Sequence, residues 1–160
     1  MKLNVLVILA VMSAPWPVYA QTQITQGEEV RKCYATPRYA EISPAECIEQ
    51  AADEMNKKLK QAVKGKLDLI HHHAAYNEPF SMEQGGESIK TVYANAFLES
   101  QTHWERSRDS LCHAVAAPSG NATDSYNAGF MQCIINLDYR RLEELTMMPP
   151  AAGATNRSNR

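Results

Sequence analysis

Residues 43–63, SPAECIEQAADEMNKKLKQAV, open with a helix start and continue as one amphipathic stripe. Ser43 can accept a hydrogen bond from the Glu46 amide while the Glu46 carboxylate reaches back to the Ser43 N–H. Pro44 occupies the first helical position, where its missing N–H costs nothing. Ile48, Ala51, Ala52, Met55, Leu59, Ala62 and Val63 then recur at three- and four-residue steps, the spacing of a helix with one buried face. Gly65 weakens the pattern, and Pro79 must end or interrupt it.

Downstream the same period recurs twice. After the breaker Gly85-Gly86, a second helix should begin near Ser88, with Ile89, Val92, Ala96, Trp104, Leu111 and Val115 on or beside one stripe until Pro118 and Gly120 end it. At about 1.5 Å per residue this is a rod of roughly 45 Å, which needs neighbouring helices along its length. A third helix, capped by Thr123 or Asp124, carries Phe130, Cys133, Ile134, Leu137, Leu142 and Leu145 toward a core and leaves Glu143 and Glu144 for solvent. No segment shows sustained alternation. The predicted fold is therefore all-α: a small disulfide-stapled three-helix bundle, or an antiparallel helical hairpin with an additional helix.

The flanks suggest export. Lys2 is followed by the apolar run Val5 to Met12 and then by Val18, Tyr19 and Ala20, the pattern of a signal peptide over residues 1–20. That run is shorter than the roughly 18 to 20 residues needed to span a bilayer, and no later segment is apolar enough to do so. The helical domain is expected over residues 21–148, with 21–32 polar and flexible, followed by a disordered tail over 149–160 that has no large apolar side chain to dock. A formal net charge of −2 offers no dense basic face for nucleic acid. It suits a cationic protein partner better.

Four cysteines in an exported chain read as two disulfides, and four allow three pairings. Counting back from a turn near Gly120 to Cys112, and forward to Cys133, covers similar distances along two antiparallel helices, so Cys112–Cys133 is the expected pair and Cys33–Cys47 the remainder. There is no C-x-x-C for redox or haem chemistry.

His71-His72-His73 is the most conspicuous cluster, because neutral imidazoles bind Zn, Cu or Ni. Adjacent histidines on a helix point about 100° apart, so three in a row form only a weak metal candidate. Glu105 and Asp109 mimic a catalytic carboxylate pair, but such pairs must flank a bond across a cleft. Beside Arg106 and Arg108 they read as ion-paired surface residues. Gly-rich phosphate loops, nucleophile elbows and H-E-x-x-H are all missing from the sequence, so neither enzyme activity nor a cofactor is expected.

Trp104-x-x-x-Arg108-Asp109-x-x-Cys112, then Gly129 and Cys133, then Arg141 with Leu142 and Leu145, resembles the lysozyme inhibitor LprI-like N-terminal domain family. Upstream, Cys33 and Cys47 are similar to that family's N-terminal cysteine pair, and Ala51-Ala52-Asp53-Glu54-Met55-Asn56 to its first-helix stretch. Leu59 stands where the family often has Tyr, Asp138 where it often has Thr, and the insertion from His71 to Gly86 is longer than usual. The resemblance implies a periplasmic or secreted helical domain, some members of which inhibit lysozyme. Trp104 is then expected in the core, Arg108 with Asp109 in a local or helix-bridging ion pair, and Arg141 opposite a carboxylate on a neighbouring helix.

The expected function is thus that of a non-enzymatic interaction protein of the cell envelope, inhibiting a lysozyme-like cationic enzyme. Two alternatives are a binding or immunity-type module for another envelope protein or toxin, and a periplasmic metal-binding protein using His71, His72 and His73. The sequence singles out no partner-binding residue.

Overall fold

A computed structural model describes residues 24–35, 41–80, 86–120 and 122–148. The segment 1–20 read as a signal peptide, the tail 149–160 and positions 81–85 of the insertion lie outside the described residues. The described chain is helical: α1 (Glu28–Ala35), α2 (Pro44–His72), α3 (Ile89–Ala116) and α4 (Thr123–Met147), with short 3-10 turns at Ala74–Asn77 and Ala117–Ser119.

The helix starts follow local chemistry. Ser43 Oγ accepts from Glu46 N at 3.2 Å and Glu46 Oε2 accepts from Ser43 N at 2.8 Å, a complete capping box. Ser88 Oγ caps α3 by accepting from Thr91 N. The expected cap of α4 is corrected: Thr123 and Asp124 already lie in its first turn, and the cap position is Ala122, with no side-chain bond. Asp124 there faces the positive end of the helix dipole instead. Gly120, at φ 62°, makes the turn between α3 and α4 in a left-handed conformation that side chains resist.

α4 lies between α2 and α3. Met55 and Ile135 share one apolar cluster, and Leu59 and Leu145 the next, so α4 runs alongside α2 in the same direction. Cys112–Cys133 and Arg108–Asp138 set α3 antiparallel to α4. Being covered from two sides, α4 buries Ala128, Gly129, Gln132, Cys133, Ile134, Ile135, Asp138 and Leu145, a wider set than a one-sided stripe would give.

Two disulfides, Cys33–Cys47 and Cys112–Cys133, close intervals of 14 and 21 residues. Loops of that size correspond to about 3 kcal/mol each by the chain-entropy argument. The first ties α1 to α2. Residues 24–32, expected to be flexible, are instead docked on α4 and helical from Glu28. Gln132, fully buried, accepts from Val30 N at 2.8 Å and donates to Glu29 Oε2 at 2.8 Å and Asn136 Oδ1 at 3.1 Å. Asn136 in turn donates to the carbonyls of Ile24 and Gln26. An eight-residue helix is marginal alone, so these bonds and the disulfide are what hold it.

Candidate functional site: a cleft between the three long helices

The buried face of α3 does not follow its most apolar residues. It passes through Ala94, Phe97, Gln101, Trp104, Arg108, Cys112 and Val115, while Leu111 and Ala96, expected on the stripe, are exposed. Two of those seven inward positions are polar, and both find partners on α4.

Arg108 is the centre of this polar seam. Its Nη1 donates to Asp138 Oδ1 at 2.7 Å, and Nε and Nη2 both meet Asp109 Oδ1, at 2.9 and 2.7 Å. The expected Arg108–Asp109 ion pair is present, but its placement on the surface is corrected for Arg108, whose side chain is only 11% exposed and also crosses to a carboxylate that is fully buried. Glu105 is engaged as well, accepting from Gln101 Nε2. Arg141 is corrected in the same way. Its Nε donates across the helix pair to the Gln101 amide oxygen at 3.0 Å, not to a carboxylate, and its Nη1 pairs with Glu144 on its own helix. Both guanidinium groups lie over the Trp104 ring, at 5.3 and 5.5 Å from its centroid, where the π face attracts them.

Burial pushes the Asp138 carboxyl above its ordinary pKa, Arg108 offsets part of that rise, and Asp109 and Glu105 add to it. Burial works against the charge of Arg108, but its bonds to Asp138 and Asp109 outweigh it and hold the guanidinium protonated. Asp138 Oδ2 has no hydrogen-bond partner among the described residues.

In front of Arg108 a cleft of about 240 Å³ opens between the helices. From α2 it receives Ala52, Asp53 and Asn56, and from α3 Arg108, Asp109 and His113. Phe130, Met131 and Ile134 of α4 form its apolar wall. His113 stacks on Phe130 with ring centroids 4.4 Å apart, and its Nδ1 hydrogen-bonds the Tyr126 hydroxyl at 2.6 Å. Chemically the cleft offers carboxylate and amide oxygens above an aliphatic and aromatic floor.

The histidine run is elsewhere, at the far end of α2. His71 and His72 are exposed, a His72 ring nitrogen hydrogen-bonds the Asp68 carbonyl, and His73 Nδ1 accepts from Ala75 N. Among the described residues no group of three or more His, Cys, Asp or Glu is arranged to hold a metal ion.

A family model described as lysozyme inhibitor LprI matches residues 33–145, well over half of the chain. The chain belongs to the lysozyme inhibitor LprI family. The matched segment encloses both disulfides, the Trp104–Arg108–Arg141 cluster and the whole cleft, and it begins after the arm that Gln132 and Asn136 hold. No curated protein and no solved structure matches this chain. Among the described residues no helix is long and apolar enough to cross a membrane.

Sequence reasoning named Arg108 and Asp109, noted Asp138 only as a departure from the family pattern, and missed that Asp138 and Gln101 are their buried neighbours. The signal was present: Gln101 stands four residues after Phe97, Arg108 four before Cys112 and Asp138 seven before Leu145, so each polar residue falls in register with an apolar core position.

Proposed function

We propose that the protein is exported to the cell envelope and acts by binding a lysozyme-type hydrolase and blocking its access to the cell wall. The observation that carries this reading is membership of the LprI family across residues 33–145. Three features are in keeping with it. Two disulfides suit an oxidising compartment outside the cytoplasm. A rigid three-helix body loses little conformational entropy on docking. The net charge of −2 favours encounter with a cationic enzyme.

Of the two carboxylates that line the cleft, Asp109 is bound to Arg108, which supports reading the cleft as a recognition surface. The test is lysis of a bacterial cell-wall suspension, followed by turbidity, with the exported chain in molar excess over lysozyme. Lysis should slow with increasing chain concentration. Unchanged rates with lysozymes of every class would remove the inhibitory reading.

A further inference from the structure

The cleft carries an imbalance of charge. Asp109 and Asp138 share one guanidinium, and Asp53, exposed on α2 at the rim, makes no ion pair among the described residues. Two carboxylates thus hold the Arg108 guanidinium, and a third, Asp53, stands on the rim of the cleft that Arg108, Asp109 and His113 also line. All three nitrogens of Arg108 are engaged by Asp109 and Asp138, so it has little left to offer an anion. The floor is of the opposite character, with Phe130, Met131 and Ile134 lining a space of about 240 Å³. An apolar floor beneath a carboxylate rim matches the one kind of side chain that is aliphatic along its stem and cationic at its tip.

We propose that this cleft is an anchor pocket that takes one lysine or arginine side chain from a cationic partner protein. The stem lies against Phe130, Met131 and Ile134, and the head group lies between Asp53, the Asn56 amide oxygen and the outer oxygen of Asp109. The identity of the partner as a lysozyme rests on the function proposed above; the chemistry of the pocket does not.

The test separates the two. The exported chain, labelled with ¹⁵N, is titrated with the tripeptide acetyl-Gly-Arg-Gly-amide and with its Gln counterpart. The Arg peptide should shift the amide resonances of Asn56, Asp109 and Met131, and the Gln peptide should not. Asp53→Asn should weaken the Arg-peptide affinity about threefold, the effect of one rim charge. Glu54→Gln removes the same charge from an exposed neighbouring position that does not line the cleft, and it should leave the affinity unchanged. Shifts that are absent, equal for both peptides, or equally reduced by Asp53→Asn and Glu54→Gln would overturn the pocket. If the pocket binds the Arg peptide but the chain slows no lysozyme, the proposed function falls and the pocket stands. If lysozyme is inhibited equally by wild type and by Asp53→Lys, the pocket falls and the inhibitor remains.

Discussion

Gln132 and Asp138 lie within two turns of each other on α4, both wholly buried, and the fold treats them in opposite ways. Gln132 is neutral and both ends of its amide are used, holding α1 and the chain before it. Asp138 is an acid with one oxygen bonded to Arg108 and the other without a partner among the described residues. A satisfied neutral amide adds specificity at little cost, whereas a half-satisfied carboxylate is expensive to bury. The difference marks the Gln132 network as architecture and the Arg108–Asp138 seam as the place where a buried charge is only partly compensated, beside a cleft.

The largest expected effect comes from breaking the costly side. Arg108→Met leaves Asp138 buried without its cation, which should destabilise the fold by about 3–5 kcal/mol in urea or thermal unfolding. Adding Asp138→Leu to that variant should recover most of the loss, because the uncompensated carboxyl is gone. A double variant no better than the single would mean that Arg108 acts through its contact with Trp104 and its bonds to Asp109.

The satisfied side should yield less. Gln132→Leu strands the Val30 N–H and deprives Glu29 and Asn136 of a partner, an expected cost of about 1–3 kcal/mol. Hydrogen exchange should show the effect concentrated in α1, with α3 nearly unchanged. Gly27 gives a milder probe of the same contact. A Cβ there would run into the Gln132 amide, which is fixed by its own hydrogen bonds, so Gly27→Ala should cost about 1–2 kcal/mol. An unaltered Gly27→Ala protein would show that the arm can shift without loss.

These residues also explain how far the sequence could be read. The capping box at Ser43, the Ser88 start, the Pro118–Gly120 stop and the three long helices follow from local chemistry that hydrogen-bonds or breaks within a few residues. The antiparallel count from Gly120 placed Cys112 opposite Cys133 for the same reason. What escaped was non-local. Hydropathy assigns Leu111 to the core and Gln101 and Arg108 to solvent, yet their order is reversed because α4 presents Asp138 and Arg141 along that face. The α1 arm reads as polar and loose for a similar reason: what holds it is a pair of amides more than 100 residues away. The cleft was half legible, since Asp53, Asn56, Arg108 and Asp109 belong to the stretches that carry the family resemblance, but nothing in their spacing says that they meet.

The smallest effect is the most discriminating, because it tests whether Asp138 is under-satisfied at all. Burial, foremost, raises its pKa, and the Arg108 pairing offsets only part of the rise. A carboxyl that holds its proton more tightly in the folded than in the unfolded chain contributes stability below the ordinary carboxylate range. It loses that contribution as the pH rises through its raised value. The stability of wild type relative to Asp138→Asn should therefore grow as pH falls from neutral toward the acidic range, a difference that cancels the titration of every other group. Melting temperatures of the two proteins across that range measure it. A flat difference, or one that shrinks toward acid, would mean that Arg108 satisfies Asp138 as fully as α1 satisfies Gln132. The contrast between the two halves of α4 would then be one of charge alone.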